Sequence, residues 1–206
     1  MKFSDFKSVE DVQKVYPIEN RKQEFIPDAE LMPPQWFMDD LHFSLSKQAS
    51  VESEMFFREY FIAPFMREAW KRHPSLKLWV NRKLAYNNEL TGEPDYFISA
   101  PPSGPTSDPV GKPLLAVAEA KQEDFIAGWG QCLAGMIACQ KLNETVDVVI
   151  YGIVSNGLVW EFGKLEGTVF TTDLYSFSIR RAGSVLGALD FMFGECERMS
   201  QRYPKL

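Results

Sequence analysis

Glu119 and Lys121 close an otherwise apolar run, Leu114 to Ala118, in the stretch LLAVAEAKQEDF. Side chains alternate along a strand, so Glu119 and Lys121 point to one side and Ala120 to the other. Charges are seldom buried without a partner, and a carboxylate and an ammonium on one side of a strand end can meet one substrate. Asp95 stands upstream, directly after Pro94 at the start of the strand-like DYFISA. Pairing of the two strands as a hairpin brings Asp95 towards Glu119. Two carboxylates held together repel unless a cation sits between them, and a hard divalent ion such as Mg²⁺ takes oxygen ligands of this kind. A lysine beside them can orient or deprotonate a water, or neutralise an attacked phosphate. Removing one of two repelling carboxylates is expected to leave the fold as stable as before, or more so. Spacing alone is a weak signal, since Asp5-Phe6-Lys7 shares it with no strand around it. A surface ion pair between Glu119 and Lys121, worth ~0–1 kcal/mol, is the plain alternative.

At these residues the chain resembles the PD-(D/E)xK nuclease superfamily, with Pro94-Asp95 followed by Glu119-Ala120-Lys121. It is similar in particular to the restriction-endonuclease-type domains of uncharacterised bacterial proteins and of type I restriction subunits. The likeness extends to the element order over about residues 50 to 165. It implies an α/β fold, a restriction-endonuclease-like central mixed β-sheet flanked by helices. It also implies an endonuclease dependent on Mg²⁺ or Mn²⁺, a hydrolase of DNA phosphodiester bonds in a restriction or repair setting. Asp95 and Glu119 would then be metal ligands, joined by the Ala120 carbonyl, with Lys121 activating water. Gln131, on the helix after the lysine, would position that water or the phosphate. Glu54 would join from the first helix, preferred to Glu59 because it lies nearer the helix start. DNA is the partner this implies. Some members of the superfamily have lost catalysis, so a silent nuclease-like module that binds a protein or pairs as a homodimer is the alternative. Glu54 also reads as a solvated helix residue, and Gln131 as one bonded to nearby backbone.

The elements that must carry these residues are legible in outline. VESEMFFREYFIAPFMREAWKR places Val51, Met55, Ile62, Phe65, Met66 and Ala69 at helical spacing behind Ser50, and Pro64 predicts a kink or break. LKLWVNRKLAYNN and PDYFISA predict two strands, residues 101 to 113 an exposed proline-rich loop, and 114 to 121 a third strand. Residues 123 to 141 predict a helix whose small side chains allow close approach to a sheet. VDVVIYGIVS and LVWEFGKL flank Asn156-Gly157, which predicts a type I′ hairpin turn with both residues at positive φ. A strand near 167–172 and a helix over 182–198 follow. Residues 1–48 predict an extension with a short helix at 9–15, packed on a nuclease-like domain of 49–206.

Composition bounds the rest. The 206 residues, 45% hydrophobic, can build one cored domain with an appendage. A net charge of −6 argues against a nonspecific nucleic-acid coat but says little about a local groove. Residues 67–83 are locally basic, with Arg67, Lys71, Arg72, Lys77, Arg82 and Lys83 against Glu68, and read as a solvated helix end or as a phosphate-binding surface. No apolar run reaches the ~18 residues of a membrane span and the start has no apolar core of a leader, so a cytoplasmic protein is expected. Cys132, Cys139 and Cys196 match neither a disulfide framework nor zinc-ligand spacing and read as buried thiols. The GWGQ of residues 128–131 lacks the third glycine of a dinucleotide fingerprint. His42 and His73 are isolated, and the five tryptophans read as core and interface.

Overall fold

A computed structural model describes residues 1–102 and 110–204. The elements in chain order are α1 (Val9–Gln13), β1 (Glu19–Lys22), α2 (Gln35–Lys47), α3 (Glu54–Phe57), α4 (Ala63–Arg72), β2 (Lys77–Val80), β3 (Leu84–Ala85), β4 (Thr91–Gly92), β5 (Tyr96–Ser99) and β6 (Leu114–Ala120). Then come α5 (Phe125–Leu142), β7 (Ile150–Ser155), β8 (Val159–Glu166), β9 (Val169–Thr172), β10 (Phe177–Ser178) and α6 (Ala182–Arg202). The fold is α/β, a mixed eight-stranded sheet flanked by helices. Its strands run in the order β1-β9-β8-β7-β6-β5-β2, with β10 paired to β8, and β3-β4 form a separate two-stranded hairpin. Among the described residues no helix is long and apolar enough to cross a membrane.

The β6-α5-β7 crossover organises the sheet. β6 and β7 pair in parallel, which needs a long connection, and α5 supplies it. All seven residues of β6 are buried, as a strand covered on both faces requires. Glycine lets α5 lie close on both strands: a Cβ at Gly135 would stand 3.1 Å from Val117 Cγ1 of β6, and one at Gly128 would stand 2.7 Å from Val154 Cγ1 of β7. At its far end Asn143 clamps the helix to the strand, accepting from the Leu114 N–H at 2.8 Å and donating to the Leu114 carbonyl at 2.7 Å.

Four local expectations are revised. Ser53, not Ser50, caps the first long helix, its hydroxyl accepting from the Phe56 N–H at 3.1 Å. The break at Pro64 is a π-turn over Arg58–Ile62 just upstream, because proline has no N–H for the Tyr60 carbonyl and its ring crowds that carbonyl. At the β7-β8 turn only Gly157 has positive φ, at 85°, so the Asn156-Gly157 pair is not a type I′ centre. Asn156 instead accepts from the Leu158 and Val159 N–H groups through its side chain. The N-terminal extension does more than wrap the core, since β1 joins the sheet parallel to β9. All four residues of β1 are exposed, so backbone pairing rather than side-chain burial holds it and no apolar alternation announces it. Residues 103–109 of the expected loop lie outside the described residues.

Candidate active site at the end of two paired strands

Asp95 precedes β5 and Glu119 follows Ala118 in β6. Since Tyr96 pairs with Ala118, the antiparallel register sets Asp95 across from Glu119. The Asp95 carbonyl accepts from the Asn81 N–H at 3.0 Å, where Asn81 takes a left-handed φ of 45° to end β2. Its carboxylate has two donors, the Ala120 N–H on Oδ2 and Arg58 Nη1 on Oδ1, both at 2.8 Å. The Arg58 and Asp95 side chains are 13% and 14% exposed, so this ion pair is largely shielded from water. Arg58 also reaches Met55 Sδ at 2.8 Å, while its buried Nε has no hydrogen-bond partner.

Glu119 has a different environment. It is 7% exposed, and no hydrogen bond to its carboxyl group occurs among the described residues. Burial above all, then the Asp95 carboxylate, pushes its pKa up to about 8; Lys121 opposes this and Glu54 adds to it. Near neutral pH the group therefore holds a proton that an ordinary glutamate releases. Cys132 on α5 registers the same neighbour, its thiol raised first by burial and then by Glu119. Like Cys132, Cys139 and Cys196 are buried free thiols.

Lys121 leaves β6 with its N–H donated to the Ser155 carbonyl at 2.9 Å. Its aliphatic stem passes beneath α5 at Gly128, where an added Cβ would come within 3.0 Å of Lys121 Cγ. Gln131, one turn further along α5, lines a cavity of about 440 Å³ together with Glu119. Asp95, Glu119, Ala120 and Lys121 thus lie together and Gln131 shares their cavity. Glu54 is exposed and reaches the group only through its charge on Glu119. Glu59 lies 3.7 Å from Arg58 Nε.

The donor set fits a hard divalent cation in type. Asp95 and Glu119 offer carboxylate oxygens side by side, and a cation between them would relieve the repulsion that raises Glu119. In number the set is sparse: among the described residues no three His, Cys, Asp or Glu side chains gather closely enough to hold a metal. Backbone carbonyl, amide and water oxygens would complete the shell, as is usual for Mg²⁺. Arg58 is the residue that sequence reasoning missed. Its one signal is its place four residues after Glu54, on the same helical face. No protein-family model matches the chain, and no curated protein matches it.

Proposed function

We propose that the protein is a metal-dependent nuclease of the PD-(D/E)xK kind that hydrolyses DNA phosphodiester bonds, in a restriction or repair setting. The observation that carries this reading is the juxtaposition of Asp95 and Glu119 across β5 and β6, beside Lys121 and an open cavity that Gln131 lines. Asp95 and Glu119, with the Ala120 carbonyl, would hold Mg²⁺ or Mn²⁺. The ion when bound supplies Lewis-acid polarisation of the phosphate and a more acidic water. Lys121 would orient and polarise the attacking water through Nζ or balance charge on the phosphate, and Gln131 would orient that water or a phosphate oxygen through its amide. Glu119 gives up its proton to become a ligand, so activity should rise with pH towards 8.

One observation favours a second reading, a catalytically silent module that binds a protein or a second copy of itself. Arg58 already supplies Asp95 with a fixed positive partner at 2.8 Å, as a purely structural site would. Incubation with plasmid, linear and single-stranded DNA, with Mg²⁺ or Mn²⁺ and then with EDTA, separates the two. Cleavage that needs the metal and is lost in Lys121→Ala supports the nuclease. Intact DNA under all conditions, with no metal-induced thermal shift, supports the silent module.

A further inference from the structure

The cavity beside Glu119 is closed on one side by the first residues of the chain, and several contacts fix them there. Lys2 forms a parallel bridge with Thr91 of β4. The Phe3 ring fills the space over Gly92, where an added Cβ would lie 2.2 Å from Phe3 Cδ2. On α5, Gly130 admits the same segment, since a Cβ there would meet the Phe6 carbonyl oxygen at 2.8 Å and the Ser8 nitrogen at 2.7 Å. The segment is thus held between the β3-β4 hairpin and α5, and it brings Lys2 and Ser4 to the cavity that Lys83, Glu93, Glu119 and Gln131 also line. Among the described residues neither the Lys2 nor the Lys83 ammonium has a hydrogen-bond or ion-pair partner. By contrast, Lys71 pairs with Glu68, Arg72 pairs with Asp190, and Lys77 and Arg82 lie over Trp79. Lining the cavity beside Glu93 and Glu119, these two cations without close partners are placed to receive an anion.

We propose that this cavity is a strand-binding subsite in which Lys2 and Lys83 hold the phosphate next to the one attacked, and that the N-terminal segment across it selects single-stranded over duplex DNA. The inference rests on the nuclease reading above and adds its substrate form. A volume of about 440 Å³ is the size of a small-ligand pocket and has room for one nucleotide. A strand threaded to Glu119 must pass the N-terminal segment and the hairpin. A base-paired strand would carry its complement into both. Lys2 and Lys83 are positioning residues here, acting on the substrate backbone and not on the reacting atoms.

The test is fluorescence anisotropy in EDTA, with the full chain, a labelled oligothymidylate of about 12 nucleotides and a hairpin duplex of equal charge. The single strand should bind at least tenfold more tightly. The Lys2→Ala, Lys83→Ala double variant should bind more weakly and lose about 0.7 from the slope of log K against log salt, the value for one phosphate left unneutralised. Arginine at both positions should keep the slope, and Lys14→Ala should not change it. An unchanged slope in the double alanine variant, or equal affinity for the duplex, overturns the proposal. Binding through both lysines with no hydrolysis under Mg²⁺ or Mn²⁺ would sink the nuclease reading and leave the subsite standing. Hydrolysis with an unchanged KM in the double alanine variant would do the reverse.

Discussion

Two clusters of charge lie at opposite ends of the α3-α4 helix, and they treat similar residues differently. Beyond the C-terminal end, the His73 ring lies between Glu197 Oε2 at 3.1 Å and Asp190 Oδ1 at 3.2 Å. Arg72 Nε donates to the same Asp190 oxygen at 2.6 Å, and the Ser75 hydroxyl donates to Glu197. Every carboxylate there has its own donors, and Glu197 is held below its ordinary value, by Ser75 first and then by His73. At the N-terminal end, Asp95 takes the good donors, while Glu119 is buried beside it and pushed up to about 8. Matched acceptors and donors make a staple between α4 and α6. A surplus of buried acceptors leaves capacity for a proton or a cation, and that is where chemistry has room.

The sharpest way to break this contrast is Asp95→Ala. Cleavage should vanish, but the fold should also weaken, contrary to what two repelling carboxylates suggest from sequence. Asp95 carries the Arg58 guanidinium and the Ala120 N–H, and its loss leaves a shielded charge unpaired. The cost should be about 3 kcal/mol, lowering Tm by roughly 6–12 °C for a domain of this size. A Tm equal to the parent's would mean that the Arg58 pair contributes nothing.

Glu119→Gln should act in the opposite direction, and only at higher pH. The folded carboxyl keeps its proton up to about pH 8, whereas the unfolded one releases it near 4.5. The folded state therefore binds more protons between those values, and the stability of the parent should fall as pH rises through that window. Glutamine removes the dependence, so parent and variant should match near pH 4.5 and diverge in the variant's favour by pH 9, by on the order of a few kcal/mol. Parallel pH profiles in thermal melts would show that Glu119 is not held protonated.

Mn²⁺ sharpens the same point. At tenfold excess over its Kd it should stabilise the parent by about 1.4 kcal/mol, an effect that Glu119→Gln should lose. Lys121→Ala should keep the metal response yet lose cleavage. A parent Tm unmoved by millimolar Mg²⁺ or Mn²⁺ would favour the silent module.

The smallest effect belongs to the matched cluster. Glu197→Gln should cost within about 1 kcal/mol at neutral pH, because the group is only partly buried and solvent still screens its partners. Its lowered value means the stabilisation is present above the unfolded pKa and fades as pH falls through the folded one. Melts should therefore converge with the parent in acid; a variant that stays less stable at the lowest pH would point to packing instead of charge.

Local patterns in the sequence determined most of the sheet and its helices. The apolar run into Glu119, the alternation that puts Lys121 on the same side, and the small residues of α5 are all properties of nearby residues. Pro94-Asp95 could be matched to Glu119 because a hairpin between neighbouring strands leaves few registers open. The tertiary structure alone decided the partners that come from far along the chain. Arg58 is one of many charged residues until the π-turn and the β2-β5 pairing bring it to Asp95. β1 has no apolar face to reveal it, and it becomes a strand only when β9 offers its backbone groups. Lys2 reaches the Glu119 cavity where Phe3 fills the gap above Gly92, and Lys83 reaches it from the entry to the β3-β4 hairpin. Spacing along a chain encodes which faces are buried; which charges share a site depends on contacts that close long loops, and no local pattern records those.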